Sequence, residues 1–184
     1  GGYNTGKGKV INKINLALER EYADGINMTF WGIGNHGGGA SREDLEKIAE
    51  VLRKHNIIVL SDEIYEHINY IGKHESIAQF EEIRDRVVII NGVSKAYAMT
   101  GWRVGWTLAP GSLIRIMTQM TENIVACAPL PSQYAAIEAL SERTDESYIL
   151  REFEKRRNCV LEELKTIPQI TTTGIPATFY AFLD

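Results

Sequence analysis

The sequence predicts an α/β fold with a mainly parallel sheet and flanking helices. Two observations carry this prediction. Short, wholly apolar runs at 57–60 and 87–90 read as strands buried on both faces, the pattern of a parallel sheet. Segments with helical periodicity lie before, between and after the predicted strands, so the two element types alternate. The composition, 44% hydrophobic and 24% charged over 184 residues, is an ordinary globular balance and excludes disordered and low-complexity classes.

Taken in order, residues 3–8 read as a turn, and a helix follows through Ile14, Leu18 and Tyr22, closed by Asp24-Gly25. A strand is expected at 26–33, leading into the glycine-rich stretch 32–39. Ser41-Arg-Glu-Asp44 is a capping box with aspartate in place of glutamate. Leu45, Ile48, Ala49 and Leu52 follow at i, i+3, i+4 and i+7, so an amphipathic helix runs to Asn56. The strand at 57–60 ends at Ser61-Asp62-Glu63-Ile64-Tyr65, and the strand at 87–90 ends at Asn91-Gly92-Val93-Ser94-Lys95. After the turn Thr100-Gly101-Trp102-Arg103, an antiparallel strand is expected near 104–109, closed by Pro110-Gly111. Helices are expected at 113–124, 133–140 and 148–167, the last with a solvated charged face, and a final strand at 177–183.

Several classes are excluded by charge and hydropathy. Twenty basic against 24 acidic residues leave a net charge of −4, so no basic field argues for nucleic acid. The apolar runs are far too short to span a membrane. Cys127 and Cys159 stand in no metal or redox spacing; they read as buried thiols of a cytoplasmic protein or, alternatively, as a bridged pair. His36, His55, His67 and His74 are scattered, without a zinc pattern, so no metal is expected.

Ligands of open α/β sheets sit beyond the carboxyl ends of the strands. Asn35, Asp62 and Lys95 each lie just past a predicted strand and should face one rim. Arg103 precedes its strand; with that strand antiparallel, its start lies at the same rim. Asn35, Asp62, Tyr65, Lys95 and Arg103 therefore converge from distant positions. A lysine among a carboxylate, a phenol and a guanidinium suits Schiff-base catalysis once desolvation or a neighbouring cation lowers its pKa. An aspartate is the group that a pyridinium nitrogen requires. An arginine clamps phosphate in bidentate fashion. Glu63 reads as solvated or salt-bridging only.

The run Ser61-Asp-Glu-Ile-Tyr65, followed by Asn91-Gly-Val-Ser-Lys-Ala-Tyr-Ala-Met-Thr-Gly-Trp-Arg-Val-Gly105, closely resembles fold-type I aminotransferases of the aspartate aminotransferase family. The spacing of Ser94-Lys95 to Arg103 within Gly-Trp-Arg-Val-Gly is the specific part. The likeness extends to 41–56 and to 151–184. It implies a partial large domain that binds pyridoxal phosphate (PLP) over 1–147. Over 148–184 it implies a connecting helix and the start of a small C-terminal domain. The activity implied is transfer of an amino group between an amino acid and a 2-oxo acid, with neither nucleic acid nor membrane as partner. By this resemblance Lys95 holds PLP as the internal aldimine and moves the proton. Asp62 pairs with the pyridine nitrogen, and Tyr65 and Asn35 hydrogen-bond the ring hydroxylate. Arg103, with Ser94, binds the phosphate. Tyr3, in a Tyr-x-x-x-x-Gly context, resembles the tyrosine that reaches the neighbouring subunit's phosphate, which implies a homodimer.

Some of the family pattern is unmatched. Between Gly25 and Met28 the chain passes from the first family helix to a much later strand. The segment that cradles phosphate and stacks a ring on the cofactor has no counterpart, and the chain stops before the small-domain arginine that binds the substrate carboxylate. Both ends read as cut, so a fragment, an internally deleted form or an engineered one is expected. Two alternatives follow: a non-catalytic or truncated remnant, or another PLP reaction such as a β-lyase. Gly32-Ile-Gly-Asn-His-Gly37 also matches a dinucleotide fingerprint, with Asp62 25 residues on. The helix cap at Ser41 comes too late for a pyrophosphate at the helix N-terminus, and that reading leaves Lys95 and Arg103 unexplained.

Overall fold

The computed structural model describes residue 12 and residues 40–145, 147–172, 174–181 and 183. The predicted turn at 3–8, the helix through Ile14, Leu18 and Tyr22, the strand at 26–33 and the glycine-rich stretch lie outside them, as do Tyr3 and Asn35.

Helix α1 (Arg42–Lys54) starts at the predicted cap: Asp44 N donates to Ser41 Oγ at 3.2 Å, and the Asp44 carboxylate accepts from Ser41 in return. Its stripe Leu45, Ile48, Ala49 and Leu52 is buried. Strand β1 (Val59–Asp62) follows, then two 3-10 turns (Ile77–Gln79 and Glu81–Arg86) and strand β2 (Val87–Gly92). A further 3-10 turn (Thr100–Trp102) precedes strand β3 (Gly105–Leu108). Helices α2 (Gly111–Ile124), α3 (Leu130–Ala139) and α4 (Ser147–Leu164) complete the order.

The sheet is mixed, in the order β1-β2-β3. β1 pairs with β2 in parallel, with Asp62 opposite Ile90, and β2 pairs with β3 antiparallel, with Gly92 opposite Gly105. The expected direction of the third strand therefore holds. The last pair brings two backbones into contact: a Cβ on Gly92 would lie 2.8 Å from the Val104 carbonyl oxygen, and one on Gly105 would lie 2.9 Å from that of Asn91. Glycine at both positions lets β3 close on the end of β2.

The core lies between α1, the two 3-10 turns and one face of the sheet, and includes Leu52, Ile83, Val87 and Ile89. Arg86 reaches across it to the carbonyls of Leu52 and His55, closing the C-terminal end of α1.

Three expectations are corrected, and a fourth holds in part. The first strand is not buried on both faces: Ile58 and Leu60 are 63% and 65% exposed, although Val88, opposite Leu60 on the same face, is buried. No regular strand forms over 177–183 among the described residues; Ala177 makes one isolated antiparallel bridge to Asn69. Here Tyr70 N donates to Pro176 O and Thr178 N to Ile68 O, so two irregular segments zip together instead of joining the sheet. Both cysteines are free and exposed, not buried or bridged; Cys127 follows the end of α2 and Cys159 lies on α4, whose residues are not fully buried. Of the two roles expected for Glu63, the solvated one is contradicted by its burial and the salt-bridging one is met by His74 at 3.0 Å.

Candidate active site

The rim is built by strand ends. β1 ends at Asp62, β2 ends three residues before Lys95, and Arg103 lies two residues before β3. Parallel and antiparallel registers together bring all three ends to one edge of the sheet. Each side chain is then set by a tight local turn. Asp62 Oδ1 accepts from Ile64 N at 3.2 Å, which turns the chain back immediately after the strand. Ser94 and Lys95 stand in a turn closed by Tyr97 N to Val93 O and Met99 N to Ser94 O. Arg103 has left-handed backbone angles, φ 54° and ψ 47°, and its Nη1 donates to Thr100 O at 3.0 Å. A non-glycine residue held there stores about 1–2 kcal/mol of strain, a feature often found at functional turns.

Tyr65 joins the group from the turn after β1. Its ring meets the Phe179 ring edge-on at 5.3 Å, and its hydroxyl lies 2.8 Å from that of Tyr180. Lys95 Nζ stands 5.8 Å from the centre of the same Phe179 ring. Phe179 is thus flanked by Tyr65 and Lys95 and stacks on Phe153 of α4 at 5.2 Å. Burial raises the pKa of the Tyr65 phenol, and the Tyr180 hydroxyl and the Asp62 charge raise it further. The neutral phenol is thereby favoured further above neutral pH than in a free tyrosine.

The structure thus gathers Asp62, Tyr65, Ser94, Lys95 and Arg103 at one rim. Asn35 and Tyr3 lie outside the described residues. The donor set fits PLP in its chemistry: an amine, a carboxylate, a protonated phenol and a guanidinium stand at the carboxyl edge of a parallel strand pair.

Sequence reasoning missed a second layer. Glu63 is only 6% exposed, and its carboxylate accepts from Ser61 Oγ at 3.0 Å and Ser76 Oγ at 2.9 Å, with His74 Nε2 at 3.0 Å. Burial pushes the Glu63 pKa up, but the bonds from His74, Ser76 and Ser61 outweigh it and hold the group below its usual value. The His74 pKa is raised by its bond to Glu63, against the effect of burial, with help from the charges of Glu63, Glu66 and Glu75. Glu66 Oε1 accepts from Asn91 Nδ2 at 2.6 Å, and Asn91 Oδ1 accepts from Gly92 N at 2.7 Å. Glu63, Glu66 and His74 also stand close enough together to share a cation, and all three are already hydrogen-bonded within the chain. No local pattern signals this layer, because its bonded partners are up to 25 residues apart in the chain. Phe179 and Tyr180 were missed because their segment reads as a strand.

Comparison with known proteins agrees with this arrangement. The family model for aminotransferase class I and II matches residues 35–184. A putative aminotransferase, YugH, of Bacillus subtilis is 39% identical over 143 residues, which is 77% of this chain and 37% of that protein. An aspartate aminotransferase of a Bacillus species (strain YM-2) is 39% identical over 147 residues, 78% of this chain and 38% of that protein. Among solved structures, aspartate aminotransferase from Thermotoga maritima superposes with a TM-score of 0.74 at 33% identity, covering 82% of this chain and 39% of that one. The aromatic aminotransferase from Pyrococcus horikoshii gives 0.72 at 35% identity, covering 80% and 40%. The chain spans about two fifths of the length of these relatives. With the rim motif, the mixed sheet and the matched span all in agreement, the chain belongs to the class I and II aminotransferase family.

Proposed function

We propose that this chain carries the cofactor-binding face of a PLP-dependent aminotransferase, which moves an amino group between an amino acid and a 2-oxo acid. The observation that carries the reading is the convergence of Asp62, Lys95 and Arg103 at one rim from three separate strand ends. When bound there, PLP supplies an electron sink that weakens the bonds at the amino acid's α-carbon. The remaining work falls to the chain. Lys95 Nζ is the covalent attachment point and the base that moves the α-proton. Asp62 holds a proton on the ring nitrogen by charge. Tyr65, kept protonated by burial and by its neighbours, donates to the ring oxygen. Arg103 and Ser94 hold the phosphate, with Asn35 and Tyr3 as further contacts by resemblance, Tyr3 across a homodimer. On this reading residues 1–147 are part of the large domain, and 148–184 are the connecting helix and the start of the small one.

A second reading has its own observation. The chain leaves Leu60 and Ile90 exposed on one sheet face. A remnant that binds cofactor without turnover would have this feature. To separate the readings, the chain is supplied with PLP, a panel of amino acids and a 2-oxo acid, and the products are identified. Matched formation of a new amino acid and a new 2-oxo acid, abolished in Lys95→Ala, is the expected result. Ammonia release points to a lyase. Absence of turnover with PLP bound at Lys95 points to the remnant.

A further inference from the structure

We propose that Glu63 and His74 form a positioning pair that fixes the chain after β1, and with it Asp62 and Tyr65, in the orientation that the cofactor ring requires. The inference rests on the PLP reading above and adds two residues to it. Glu63 continues the β1–β2 ladder, since its N donates to Ile90 O at 2.9 Å, while its side chain turns inward. The two cofactor-facing candidates flank it in sequence, Asp62 immediately before it and Tyr65 two residues after.

A buried carboxylate is tolerated only with its donors in place. Two of the three donors come from the far end of an excursion: His74 and Ser76 lie 11 and 13 residues downstream. The carboxylate therefore ties both ends of the 63–76 segment to one point. Within the segment, Ile68 is buried and Ile68 N donates to Tyr65 O at 2.9 Å, which anchors the backbone of Tyr65. Glu66 makes a second tie, accepting from Asn91 four residues before Lys95. The groups whose charges act on His74 are Glu63, Glu66 and Glu75, all acidic, so the imidazolium is favoured and the tie carries charge.

The test uses the whole chain. PLP is titrated into the wild type, Glu63→Gln and His74→Gln, with visible-band circular dichroism recorded, followed by borohydride reduction and peptide mapping. Glutamine keeps the shape of Glu63 but removes its charge. Both variants should keep their far-ultraviolet spectrum and the adduct at Lys95. They should bind PLP about tenfold more weakly, the loss expected for one charge-assisted hydrogen bond. They should also lose induced ellipticity per bound cofactor, because Asp62 and Tyr65 no longer impose one ring orientation. A pair that serves stability alone would lower the melting temperature and leave affinity and ellipticity unchanged, which overturns the inference. If Glu63→Gln does not fold, His74→Gln decides, because it breaks the same link from the more exposed side. A wild type without a Lys95 adduct removes the PLP reading and this inference together. An adduct with unaltered variants removes the inference alone.

Discussion

Tyr65 shows how position sets chemistry for a single side chain. Its burial, the Tyr180 hydroxyl and the Asp62 charge all favour the neutral phenol. Tyr65→Phe should leave the fold intact and weaken PLP binding by about 1 kcal/mol, about fivefold, as read by titration. The Glu63–His74 pair makes a prediction in pH. The lowered Glu63 value gives stability that is present above pH 4.5 and lost as pH falls through the folded value. The raised His74 value gives stability that is complete below pH 6.5 and lost as pH rises through its folded value. The difference in melting temperature between wild type and His74→Gln should therefore be largest between pH 4.5 and 6.5 and shrink on both sides. A difference independent of pH would contradict the ion pair. Asp62, Lys95 and Arg103 were legible in the sequence because each adjoins an apolar run whose direction fixes where it ends. Glu63 was not: a carboxylate looks the same in sequence whether solvated or buried, and its partners lie across an irregular loop.

At the scale of elements, the helix cap and the first two strands were legible because local chemistry dictates them. Ser41 and Asp44 satisfy each other, and the run 87–90 lies within β2, which ends at Gly92 just before the turn that holds Ser94 and Lys95. The strand expected at 177–183 failed because alternation of apolar residues describes a side-chain pattern and not a partner. The segment found the irregular chain at 68–70 instead. The glycine pair joining β2 and β3 sets where Arg103 begins. Gly105→Ala puts a methyl group 2.9 Å from the Asn91 carbonyl oxygen, and backbone must move. A stability loss of about 1–3 kcal/mol is expected by thermal denaturation, with weaker PLP binding alongside. A core residue packed under the sheet and an exposed strand residue should also respond differently. Ile83 is fully buried, so Ile83→Ala should cost about 2–5 kcal/mol by denaturant titration. Leu60 is 65% exposed, so Leu60→Ala should stay within about 0.5 kcal/mol. Equal losses at the two positions would show that Leu60 is covered in solution.

At the scale of the molecule, the described residues form one well-packed layer pair and leave apolar surface elsewhere. Ile116, Met120 and Ile124 make an exposed stripe along α2, at four-residue spacing, and Leu60 and Ile90 are exposed on the sheet. No described helix is long and apolar enough to cross a membrane. Family membership was legible from two runs, 61–65 and 91–105, because together they span the ends of β1 and β2, a sharp turn and the start of β3. The central claim is that these strand ends assemble a PLP site in this chain. The direct measurement is to add PLP to the purified chain, record its visible spectrum, reduce with borohydride and locate the modified peptide. The account predicts one adduct, at Lys95, absent from Lys95→Ala; no adduct, or label spread over surface lysines, would contradict it.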